Sequence, residues 1–213
     1  MTEGTQRHTP MKKRYWLLLG LFASSAGRAD LDVDPDTAPL PTAGIAGREV
    51  CVYPLTLVVS EESLNWAEQL QPRREALDRA DSMIGAFLTE RAPEVTWVLP
   101  PELRRAASRA PGMLANPDQI GTALLRSSID RVPDPLRSQL RTLTGMAGGR
   151  HALIPASLVF LGDSANLGRA ELTLAIVDVR TANVQWRTVA SGTGEDPWAA
   201  FWNSLKSLVP GLP

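Results

Sequence analysis

Arg169-Ala-Glu-Leu-Thr-Leu-Ala-Ile-Val-Asp-Val179, followed by Arg180-Thr-Ala-Asn183 and then Val184-Gln-Trp-Arg-Thr188, is the stretch whose reading decides the fold. Leu172, Leu174 and Ile176 alternate, which places them on one face of an extended strand. Val184, Trp186 and Thr188 repeat that period after a short connection. So short a link returns the chain antiparallel, giving a β-hairpin without the preferred Asn-Gly turn. Upstream, Arg150-His-Ala-Leu-Ile-Pro-Ala-Ser-Leu-Val-Phe-Leu161 reads as a further strand, and residues 162–168 as an exposed turn. Downstream, Asp196 is placed to cap a helix that Pro197 opens, with Trp198, Phe201, Trp202, Leu205 and Leu208 on one face and Pro210 as its stop.

The first half supplies helices and shorter strands. Arg48-Glu-Val-Cys-Val-Tyr-Pro-Leu-Thr-Leu-Val-Val59 is a nearly continuous β-branched and aromatic run, suited to a strand buried on both faces, with Pro54 ending or bulging its ladder. Residues 60–71 form a polar excursion around Trp66. From Pro72 the period becomes helical, with Ala76, Leu77, Ala80, Met83, Ile84, Phe87 and Leu88 on one stripe. A short strand is expected over Glu94–Leu99, a helix over Glu102–Ala110, and another over Pro117–Ser128 with Asn116 as its cap. A last internal helix spans Asp134 to Met146 and ends at Gly145, Gly148 and Gly149. The predicted class is α/β (α+β): a mixed β-sheet with helices packed on it, and a C-terminal β-meander followed by an amphipathic helix.

Three positive charges, Lys12, Lys13 and Arg14, lead into the apolar run Tyr15–Ala23, and small residues follow. This is the order of a secretory signal peptide, with cleavage after Ala26 or Ala29 both satisfying the small-residue rule. The run is shorter than the ~18–20 residues a membrane span needs, which sets retention as an anchor behind cleavage. The polar prefix 1–10 sits awkwardly before such a leader, so Met11 is read as the start. Residues 30–47, acidic and then Pro-rich, are expected to be a disordered linker, and 48–210 a single domain. Their Asp-x-Asp-x-Asp spacing lacks the Gly and Glu of a calcium loop, since Pro35 and Pro41 stand at those places.

Removing residues 1–29 takes five of the 22 basic and one of the 23 acidic residues, leaving 17 and 22 and a net charge near −5. That balance argues against nucleic acid or anionic lipid as a main partner, because both require clustered Lys and Arg. Cys51 is the only cysteine, so no internal disulfide forms; it is read as a small buried hydrophobe, too far from the leader for lipidation.

The strand Val50-Cys-Val-Tyr-Pro-Leu55, the early helix, Arg150-His-Ala-Leu-Ile-Pro-Ala156 and the meander Leu172 to Trp186 resemble the periplasmic α/β domain shared by curli secretion channel (CsgG-like) proteins, the TolB amino-terminal domain and penicillin-binding-protein activator lipoproteins. In that group an Asp precedes a Thr-Gly-x-(Val/Ile) hairpin, as Asp178 precedes Thr181-Ala182-Asn183-Val184 here, with Ala in place of Gly. The resemblance implies the fold over roughly 48–208. It does not carry the lipid anchor or the pore, because the lipobox cysteine and the membrane hairpins are missing.

Catalytic patterns are thin. His151 is the single histidine after the leader, and neither His-Glu-x-x-His, Cys-x-x-Cys nor Gly-x-Ser-x-Gly occurs. Gly145-Met-Ala-Gly-Gly-Arg150 lacks the spacing and the Lys of a phosphate loop. Carboxylates such as Glu61 with Glu62, or Asp163 with Asp178, leave open a hydrolase of envelope polymers. Trp66 and Trp97 are the candidate interaction residues, since exposed aromatics often centre interfaces, with core burial as the competing expectation. The expected function is a noncatalytic secreted or periplasmic envelope protein that needs no cofactor and binds a protein or cell-wall component. A subunit of an oligomeric envelope or secretion assembly is the remaining alternative.

Overall fold

A computed structural model describes residues 38–163 and 167–209; the expectations for the leader and for residues 30–37 lie outside them. The chain opens with a short helix α1 (Thr42–Ile45), then strands β1 (Glu49–Val52) and β2 (Val58–Ser60) and the helix α2 (Arg73–Arg91). Strand β3 (Thr96–Val98) and helices α3 (Pro100–Ser108) and α4 (Leu136–Met146) follow. The last third is β4 (His151–Gly162), β5 (Gly168–Asp178), β6 (Asn183–Gly194) and α5 (Pro197–Ser207).

All six strands join one mixed sheet in the order β3-β1-β4-β5-β6, with β2 also on β4. β1 and β2 run parallel to β4, whereas β4, β5 and β6 form the antiparallel meander. Pro54 divides the long N-terminal apolar run, as its missing N–H requires, and the two pieces pair with opposite ends of β4. Bulges between Pro155 and Ser157 and between Ile176 and Val177 adjust the register. Ala182, which stands at the glycine of the resembled hairpin, takes φ 65°, the left-handed conformation that glycine adopts freely.

The alternation read from sequence splits the core in two. Val50, Val52, Leu153, Leu158, Phe160, Leu172, Leu174 and Ile176 face α2 and α5. Cys51, Tyr53, Ala152, Ile154, Ala175 and Val177 face α3, α4 and the irregular segments between them. Each large buried side chain contributes roughly 1.5–3 kcal/mol. Asp196 caps α5 as expected, accepting from the amides of Trp198 and Ala199.

Two local expectations fail. Residues 38–47 are not a disordered linker: the Leu40 amide donates to Leu208 O at 2.9 Å, and Leu40 and Ile45 are both buried. Their Pro- and Gly-rich neighbours conceal two apolar side chains that join the core. Pro117–Ser128 is not an α-helix but two 3-10 turns, Pro117–Gln119 and Ala123–Arg126. Thr122 between them is buried, and its hydroxyl pairs with that of Thr56, a tertiary contact that fixes the chain outside helical geometry.

α5 lies so close to β6 that a Cβ at Gly192 would fall onto the backbone of Ser204 and Asn203, and one at Gly194 onto Ala200. Gly192→Ala is therefore expected to cost roughly 1–3 kcal/mol by forcing the helix off the sheet. Gly44→Ala, where a Cβ meets nothing within 4 Å, should stay within ~0.5 kcal/mol. Urea titrations of both variants check this, and equal midpoints would contradict it.

Candidate interaction surface

The densest charge cluster joins α2 to α3. Asp81, 5% exposed, accepts from the Leu55 amide at 2.8 Å and from Arg104 Nη2 at 2.9 Å. Arg104 also grips Asp118, at 2.7 Å from Nη2, while Arg74 pairs with Asp78 and Asp118. Burial pushes the Asp81 carboxyl up to about 6, against the Leu55 amide and Arg104, which oppose it. Burial raises Asp118 too, but there Arg104 and Arg74 outweigh it and hold the carboxyl below its ordinary value. A cleft of about 450 Å³ is lined by Arg74, Asp78, Asp81 and Arg104 of this cluster together with Leu99, Pro100 and Gly85. The carboxylates of Asp78, Asp81 and Asp118 converge on the two guanidiniums. The arrangement ties α2 to α3 and to the turn at Asp118.

A second cluster sits beneath the β5–β6 turn. Asp178 takes Arg150 Nη2 at 2.6 Å and the amides of Arg180 and Thr181. Burial works to raise its carboxyl, yet these partners leave it depressed. Neighbouring His151 is 1% exposed; Nε2 lies 3.3 Å from Arg48 Nη1, and Nδ1 has no partner among the described residues. Burial, and then the Arg48 charge, lower the imidazole's affinity for a proton. Cys51 is fully buried in β1, which pushes its thiol up to about 12 and leaves no thiolate for chemistry.

Neither tryptophan expected as an exposed anchor is one. Trp66 is 6% exposed and meets Phe160 edge-on at 5.6 Å. Gly168 lacks the Cβ that would collide with its ring, so a glycine in β5 makes the room that buries it. Trp97 is half-buried, and its indole N–H donates to Ala92 O at 3.0 Å. The later tryptophans do pack around α5 and the hairpin: Arg79 stacks over Trp198 at 4.3 Å, and Trp202 meets Phe87.

The surface that the sequence did not single out is the far half of one sheet face. On the α3–α4 side the packed residues end near Ala156 and Ala175, where the Ser157 and Thr173 hydroxyls pair at 3.3 Å. Beyond them β4, β5 and β6 run on. Cross-strand partners share a face, so Val59, Val159, Glu171 and Ser191 form one row. Leu161, Arg169 and Thr193 form the next. Val59 is 45% exposed, Val159 and Leu161 are half-buried, and Arg169, Ser191 and Thr193 are exposed. Arg169 pairs with Glu171 at 3.1 Å. The strands are longer than the helical layer covering them, and strand period alone does not reveal where that layer stops.

No protein-family model and no curated protein matches the chain. Among solved structures it is similar to the LpoB C-terminal domain from Salmonella enterica, at 19% identity over 76% of this chain and 99% of that one, with a TM-score of 0.39. A PelC dodecamer from Paraburkholderia phytofirmans matches at 16% identity over 81% and 91%, with a TM-score of 0.39. The lipoprotein GNA1162 from Neisseria meningitidis matches at 14% over 68% and 78%, with a TM-score of 0.33.

Two buried titratable groups, Asp81 and His151, pull stability in opposite directions with pH. Asp81, raised from 3.8 to about 6, favours the fold when protonated, so its contribution is full at low pH and lost as pH rises through about 6. His151, lowered from 6.5, favours the fold when neutral, so its contribution is full above 6.5 and lost as pH falls. In denaturant titrations between pH ~5 and ~6, His151→Gln should gain stability relative to wild type toward acid, and Asp81→Asn should lose it relative to wild type. Parallel slopes in the two variants would refute the assignment.

Proposed function

We propose that the protein is a noncatalytic binding module of the bacterial envelope, exported by the leader at residues 11–29 and holding a protein partner on the uncovered half of its sheet. The observation that carries this reading is the run of aliphatic side chains Val59, Val159 and Leu161 at a surface where no helix covers them. Aliphatic side chains on β2 and β4, flanked on β5 and β6 by Arg169, Glu171 and the hydroxyls of Ser191 and Thr193, combine the apolar and polar parts that protein interfaces use. The periplasmic or secreted address rests on the leader's charge and length pattern, and the CsgG-like assignment on the residues quoted for it. Among the described residues no helix is long and apolar enough to cross a membrane. The hydrolase alternative gains no support from the Asp78, Asp81 and Asp118 cluster, whose carboxylates are tied to Arg74 and Arg104.

A photo-crosslinking residue at Val59 or Ser191, introduced into the exported protein in its native envelope, is expected to capture one recurrent protein. The same residue at Glu90 on α2 should capture none. Leu161→Asp should weaken that capture by roughly tenfold, the cost of placing a charge in an apolar interface core. Crosslinks that arise at Glu90 and not at the sheet would overturn the reading.

A further inference from the structure

The uncovered face is self-complementary, and its pattern points to a particular occupant. Row by row it reads Val159, Glu171, Ser191 and then Leu161, Arg169, Thr193, across β4, β5 and β6 in both cases. Consider a two-fold axis lying in the plane between two stacked sheets, perpendicular to the strands and passing between these rows. It sets each strand over its own copy while exchanging the rows. Val159 then meets Leu161 of the second copy, Glu171 meets Arg169, and Ser191 meets Thr193. Aliphatic falls on aliphatic, acid on base and hydroxyl on hydroxyl across β4, β5 and β6, while Val59, on β2 at the end of the first row, has no counterpart in the second.

Other ways of stacking the face break that match. An axis parallel to the strands and passing between β4 and β5 would lay Val159 over Glu171 and Leu161 over Arg169, burying charge against aliphatic carbon. We infer that a second copy of this chain occupies the face, in an isologous dimer whose sheets stack about 10 Å apart. The Arg169–Glu171 pair, 3.1 Å within one chain, then joins its symmetry mate in a four-charge cluster across the two-fold. The patch is smaller than the roughly 20–30 residues a side of a stable interface, so the dimer is weak and depends on concentration. Self-association therefore competes with the partner proposed above. The inference rests on that reading only in taking the face as a docking surface, and makes dimerisation the means by which it is masked.

Charge exchange tests the geometry directly. Sedimentation equilibrium of the mature chain over a wide concentration range is expected to show a monomer–dimer equilibrium. Arg169→Glu alone, or Glu171→Arg alone, puts like charges across the axis and should weaken the dimer by roughly tenfold or more. The double variant Arg169→Glu/Glu171→Arg restores opposite charges and should return the wild-type equilibrium to within about threefold. Thermal melts confirm that each variant folds. A monomer at every concentration, or a dimer indifferent to the single reversals, would overturn the inference. Either result leaves crosslinking of a different protein at Val59 untouched, so dimer and partner stand or fall separately.

Discussion

The rest of the structure depends on one ladder, the antiparallel pairing of β4 with β5, whose residues are buried on both sides from Ala152 to Leu158 and from Leu172 to Asp178. A strand pair sealed on both faces must carry apolar side chains in both registers, and it must be covered twice. α2 and α5 cover one side, and α3, α4 and the 3-10 turns cover the other. The second cover is shorter than the strands beneath it. That mismatch of lengths creates the exposed aliphatic rows, so the candidate surface is a consequence of the fold's architecture, with no dedicated loop or motif to build it.

Close packing on the first side is bought with glycine. Gly168 admits Trp66, and Gly192 and Gly194 admit the backbone of α5. This contact draws the terminal helix flat onto the meander and leaves Phe201 and Leu205 fully buried. The ion pairs play a different part. Arg104 joins α2, α3 and the turn at Asp118, while Arg150 steadies the β5–β6 turn through Asp178. Both clusters pair their charges between elements of the fold.

Much of this architecture was legible in the sequence because periodicity survives without long-range information. The meander, the capped terminal helix and the long α2 all follow from residue spacing, and Pro54 announced the break between β1 and β2. What stayed hidden depends on distant contacts. Trp66 lies in a polar stretch and gives no local sign that Phe160 and Gly168 await it. Leu40 and Ile45 are isolated among Pro and Gly, and the residues around Thr122 carry a helical pattern that the Thr56 contact overrides. The exposed rows were invisible for the same reason: Val159 and Leu161 alternate as buried residues do, and only the extent of the opposing helices decides otherwise.

Hydroxyl-radical footprinting of the protein in its native envelope, set against the dilute purified chain, tests most directly whether this face is the working surface. The account predicts that Val59, Val159 and Leu161 lose reactivity in the envelope while the exposed Met113 and Met146, away from the uncovered sheet, keep theirs. Protection of the two methionines with undiminished labelling of the three aliphatic residues would contradict it.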